Sequence, residues 1–141
     1  MNLIKTWRLN LKTVSEANNS EHWTKVYARR KLQKKLIYIK WLSDTPKLIL
    51  PCKVKLTRIG GKFLDVGDNL PMAFKAIRDI LADRIIPNKP PGWSDSSPLI
   101  QWEYDQKKGA PSGILVQFYC CDTNRSFASV KLDVQEAELL T

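Results

Sequence analysis

The run Leu64-Asp65-Val66-Gly67-Asp68-Asn69-Leu70 places two aspartates, a glycine and an amide between an apolar strand pattern and an amphipathic helix pattern. A third carboxylate, Asp95, follows the proline-rich stretch Pro87-Asn88-Lys89-Pro90-Pro91-Gly92. Two aspartates three residues apart at a strand-to-helix junction can converge on one point, and a third from a separate loop closes the set. Hard oxygen donors on a rigid frame suit Mg2+ or Mn2+. Such a site orients an attacking water and offsets charge on a leaving phosphate oxygen. The same letters also arise when Asp68 is a helix N-cap and Asp65 a turn residue. Spacing alone does not separate the two readings.

The rest of the chain weighs on that choice. Its 141 residues carry a formal charge of +9, distributed unevenly. Residues 1–62 hold 15 Lys/Arg against 3 Asp/Glu, whereas residues 63–141 hold 8 against 11. A basic half beside a carboxylate-rich half points to a polyanionic partner. Lys53, Lys55, Arg58 and Lys62 lead into the acidic motif and are the first candidates for phosphate contacts. Arg29, Arg30, Lys34 and Lys35 come second. No apolar run is long enough to span a bilayer, and the start is too short in apolar length for a secretory signal, so a cytoplasmic protein is expected. Cys52, Cys120 and Cys121 form no metal-ligating pair and read as free thiols. His22 is the sole histidine, which leaves a histidine-based hydrolase without support.

Periodicity supplies the frame that must hold these residues. Strands are predicted over 2–11, 52–59, 99–107 and 113–121, with a further one over 126–134 and a short helical or frayed end over 135–141. A helix over 21–42 has an aliphatic stripe (Ala28, Leu32, Leu36, Ile39) and an aromatic side (Trp23, Tyr27, Ile37, Tyr38, Trp41), so it should pack against two things, the domain's own sheet and either a sister subunit or a nucleic acid. A second helix over 69–84 has Leu70, Phe74, Ile77 and Leu81 on its core face, with Met72, Lys75, Asp79 and Asp83 opposite. Asp79 and Asp83 read as solvated helix charges partnered by Arg78, and Phe63 reads as core. The fold class is α/β (α+β): a single domain, 1–141, with a mixed sheet of four to five strands and two main helices.

Three stretches together resemble the RusA-like family of Holliday junction resolvases, common in phages and prophages. They are Val54-Lys55-Leu56-Thr57-Arg58-Ile59 with the acidic motif; Lys75-Ala76-Ile77-Arg78-Asp79-Ile80-Leu81-Ala82-Asp83; and Asp95 continuing through Trp102-Glu103-Tyr104-Asp105-Gln106. The resemblance covers roughly residues 52–120. It implies a homodimeric, Mg2+- or Mn2+-dependent endonuclease that resolves four-way DNA junctions by paired symmetric nicks, in the cytoplasm of a bacterial or phage-infected cell. It also implies that Asp65, Asp68 and Asp95 hold the metal, that Asn69 supports them, and that Lys75 serves catalysis. Two positions depart from the family pattern. Val66 stands where the motif's first aspartate falls, with Asp65 one residue earlier, and Met72 stands where the catalytic lysine falls, with Lys75 one turn later. A non-enzymatic nucleic-acid-binding protein of the same fold, with a decayed site, is therefore the alternative; a flap or fork nuclease is a third reading.

Overall fold

Alternation along residues 52–60 builds the central strand. Cys52, Val54 and Leu56 are fully buried, while Lys53 and Lys55 between them are only half-buried, as a period of two requires. The computed structural model describes residues 1–14, 22–64, 69–90 and 92–121. In chain order its elements are β1 (Asn2–Leu9), α1 (Trp23–Ser43), β2 (Cys52–Gly60), α2 (Asn69–Ala73), α3 (Lys75–Ile85), β3 (Ile100–Lys108) and β4 (Gly113–Cys120). The strands form one mixed sheet in the order β1-β4-β2-β3. β2 and β3 run parallel, and β4 pairs antiparallel with both β1 and β2. A parallel pair needs a crossover, and α2, α3 and the loop after them supply it.

The core lies between the helices and one sheet face. Val54, Leu56, Ile114, Val116 and Phe118 come from the strands, Ile37 from α1, and Leu70, Phe74, Ile77 and Leu81 from the crossover. Trp7 packs edge-on against Phe118, with ring centroids 4.8 Å apart. Its indole N–H donates to the Asp44 carbonyl at 3.2 Å, so the largest core side chain leaves no buried donor without a partner. The architecture is the expected α+β domain with a mixed sheet. The strand expected over 126–134 and the end over 135–141 lie outside the described residues.

One local expectation is corrected. The helix expected over 69–84 is two helices meeting at Phe74. There the Phe74 N–H donates to the Pro71 carbonyl at 3.1 Å, a bond over three residues that tightens the turn as the phenyl ring enters the core. Of the two sides of α1, the one bearing Ile37 meets the core, and the helix buries only Gln33 and Ile37 completely. Its aliphatic stripe stays open, and so do Trp23 and Tyr27. His22 caps this helix, its Nδ1 accepting from the Thr24 backbone N–H at 3.3 Å.

Candidate functional site

The loop between α3 and β3 is stapled before it reaches its carboxylate. Gly92 adopts φ +82°, a left-handed conformation that glycine takes without steric cost. The buried Ser94 hydroxyl then donates to the Ile86 carbonyl at 2.7 Å, which fixes the next residue, Asp95, against α3. Arg78 receives it. Its Nε donates to Asp95 Oδ1, its Nη2 to the Asp95 carbonyl at 2.9 Å, and its Nη1 to the Tyr104 hydroxyl at 2.8 Å. The guanidinium also lies 5.0 Å from the centre of the Trp102 ring. Burial alone would lower the guanidinium pKa, but the bonds to Tyr104 and Asp95 outweigh it and shift the group upward. Arg78, expected to partner Asp79 and Asp83, is instead committed to Asp95 and Tyr104. The reason is its inward position, beside residues that only the folded loop and β3 bring near.

Asp95 opens on a cleft of about 250 Å³ between α1 and α3, lined also by Lys34, Lys75, Asp79, Asp83 and Gly92. Lys75 Nζ stands 4.0 Å from Asp79 Oδ2, one helical turn along. Burial raises the Asp79 carboxyl above its ordinary value; Lys75 opposes the shift and the neighbouring Asp95 adds to it. Asp79 is therefore a half-buried cleft residue rather than a solvated helix charge, whereas Asp83, at the cleft's edge, is exposed as expected. Their spacing of four, in step with Lys75, was the legible signal, but it did not say that a loop would close over that face.

The chain leading into the acidic motif is held by β3. The Leu64 N–H donates to Gln106 Oε1 and the Gln106 amide donates to the Leu64 carbonyl, both at 2.8 Å. One side chain on β3 thus holds the backbone immediately before Asp65 as a neighbouring strand would. Sequence reasoning attached no role to Gln106. Asp65 and Asp68 lie outside the described residues, as does the side chain of Asn69, whose backbone opens α2. Lys75 begins α3 and lines the cleft. Phe63, expected in the core, is 56% exposed, and Lys108 lies over its ring, because the chain has left the sheet after Gly60.

The expected phosphate-contacting residues separate into groups. Lys53 and Lys55 project from the sheet face opposite the core, where Lys53 stands 3.1 Å from Glu103 and Lys55 3.5 Å from Asp105. Both are turned away from the cleft, since they alternate with the buried Val54 and Leu56. Arg58 donates to the Lys62 carbonyl at 2.6 Å, and burial lowers its pKa. Lys62 is exposed near the motif. Lys34 reaches the cleft itself, Lys35 is exposed on α1, and Arg29 and Arg30 are half-buried there.

The donors gathered at the cleft are carboxylate oxygens, which suit Mg2+ or Mn2+ better than a softer ion. Burial is the main reason the Asp79 carboxyl is raised; the smaller contribution from Asp95 is a repulsion of the kind a cation relieves. Among the described residues no three carboxylate, histidine or cysteine side chains gather closely enough to hold an ion. Among the described residues no helix is long and apolar enough to cross a membrane. No protein-family model matches the sequence, and no curated protein or solved structure is significantly similar to it.

Proposed function

We propose that this protein is a metal-dependent, structure-selective DNA endonuclease that resolves four-way junctions by paired nicks, acting as a homodimer in the cytoplasm of a bacterial or phage-infected cell. The observation that carries the reading is the cleft in which Asp95, from a separate loop, meets Lys75 and Asp79 of α3 and Lys34 of the basic helix α1. Asp65, Asp68 and Asp95 would hold Mg2+ or Mn2+, with Asn69 supporting them. The ion, when bound, supplies an activated water and charge neutralisation at the scissile phosphate. The protein's own groups do the rest. Arg78 fixes Asp95 through Oδ1, Gln106 anchors the chain entering the acidic motif, and Lys75 and Lys34 offer ammonium groups to phosphate oxygens. On the side of α1 that leads to the cleft, Trp23 and Tyr27 are 70% and 63% exposed, a surface suited to unstacked bases at a branch point.

Cleavage of a mobile four-way junction in Mg2+ or Mn2+, lost in Asp95→Asn and Asp68→Asn while binding persists, is the expected result. Flap and fork substrates run beside it separate the junction resolvase from its nuclease alternative. A second reading is favoured by the ion pairs that already engage Asp95 and Asp79, and by Val66 and Met72: a non-catalytic protein that binds branched DNA through the same surface. Tight junction binding without scission at any metal concentration selects it.

A further inference from the structure

A second concavity lies on another side of α1. The Gln33 side chain, buried in the helix, donates from Nε2 to the Lys12 carbonyl at 3.0 Å. That bond draws the segment after β1 alongside the helix and leaves a furrow between them. The furrow consists of two adjoining hollows of about 450 and 310 Å³ that share Asn10, Leu11 and Leu36. Its apolar lining comes from Leu9 and Leu11 on one wall and Ala28, Leu32, Leu36 and Ile39 on the other. Those last four recur at three- and four-residue spacing over three turns, the periodicity of a helix contact. Leu32, Leu36 and Ile39 are 57%, 38% and 50% exposed, a contiguous apolar surface of the kind that marks an interaction site.

The charge around the furrow selects its occupant. α1 carries seven Lys/Arg and no Asp or Glu, and residues 1–14 carry no carboxylate either. Lys12 lines one hollow and Lys40 the other, while Lys25 continues the aliphatic stripe at its N-terminal end. Among the described residues the adjacent carboxylate is Asp44, already held by Lys5 at 2.6 Å and facing Lys40 at 3.8 Å. A second copy laying the same stripe into this furrow would bring two cationic rims together. Nucleic acid finds phosphate partners at the rim, but the lining is aliphatic and presents no ring for a base to stack on. An amphipathic segment bearing carboxylates satisfies both the lining and the rim.

We propose that the furrow between α1 and the segment after β1 is a docking site for a short, acidic, amphipathic helix of a partner protein. The proposal stands independently of the nuclease reading, since the furrow shares no lining residue with the cleft.

The test is fluorescence anisotropy with a fluorescein-labelled helical peptide carrying leucines at i, i+4 and i+7 and glutamates on its other faces. Saturable binding that weakens with salt is expected. Leu36→Asp should weaken it about tenfold or more, because an apolar contact is replaced by a charge that repels the probe. Lys12→Glu with Lys25→Glu should weaken it too, and that double variant should then prefer the probe rebuilt with lysines. All three positions are on the surface, so melting curves monitor the fold independently. Absence of binding at a probe concentration on the order of 1 mM overturns the proposal. Equal binding of a scrambled glutamate peptide, or unchanged affinity in Leu36→Asp, also overturns it. So does displacement of the probe by four-way DNA that no longer binds Leu36→Asp. A wild-type dimer that Leu36→Asp converts to monomer assigns the furrow to a second copy and overturns it likewise.

Discussion

Arg78 is the residue on which the cleft can be tested without any substrate. Its guanidinium makes two bonds to Asp95, one to the side chain and one to the backbone, and a third to Tyr104. In Arg78→Met the aliphatic stem survives and keeps its packing while all three bonds disappear. A bond with a charged partner is worth about 1.5–3 kcal/mol and a neutral one about 1 kcal/mol. Side chains on both sides of the ion pair retain about a third of their exposure, 30% and 31%, so solvent screens a good part of that total. The expected loss is about 2–3 kcal/mol, which for a domain of this size lowers Tm by about 6–15 °C. Thermal melts followed by circular dichroism, with urea titrations alongside, give both numbers. Arg78→Lys keeps the charge without the planar fork and should recover less than half of the loss. A double-mutant cycle with Tyr104→Phe should show a coupling of about 0.5–1 kcal/mol. The reasoning is refuted if Arg78→Met melts with the wild type, or if Arg78→Lys restores stability completely, since then only net charge matters and the loop is not held by geometry.

Other outcomes follow from neighbouring groups. Burial holds the Asp79 carboxyl above its ordinary 3.8, so its contribution is favourable below that value and is lost as pH rises through the folded-state pKa. Asp79→Asn should therefore raise Tm at neutral pH, with the gain vanishing below pH 3.8. Asp44 has the opposite sign: the Lys5 hydrogen bond, opposed by burial, holds it below 3.8, so Asp44→Asn should be less stable than wild type at neutral pH, with the gap closing on acidification. Gln106→Leu removes both bonds that clamp Leu64 and should cost about 1–3 kcal/mol in urea unfolding. Under the nuclease reading it should reduce cleavage more than DNA binding. Burial, helped by the facing Cys120, pushes the Cys52 thiol up to about 12. Mild alkylation of the native protein should modify the half-exposed Cys121 and spare Cys52 and Cys120 until urea is added, a pattern mass spectrometry reads directly.

The strands, the basic helix and the crossover helix face were written in local periodicity. Val54 and Leu56 alternate with lysines, and Leu70, Phe74, Ile77 and Leu81 recur at helical spacing, so each element's buried side follows from its own residues. The stock of chemistry was equally local: aspartates near a strand end, a later aspartate after prolines, and cations concentrated in the first half. Which cation meets which carboxylate was not local. Arg78 and Asp95 are 17 residues apart and Leu64 and Gln106 are 42 apart, and such pairs depend on how a loop folds back and which strands become neighbours. The parallel pairing of β2 with β3 decided that Lys53 and Lys55 find Glu103 and Asp105 as partners. In α1 the stripe with the clearest pattern, Leu32 to Ile39, stayed open, while a polar residue, Gln33, went inside. Periodicity marks which residues share a helix face, but only the tertiary arrangement, through the surfaces available to bury it, selects the face that turns inward.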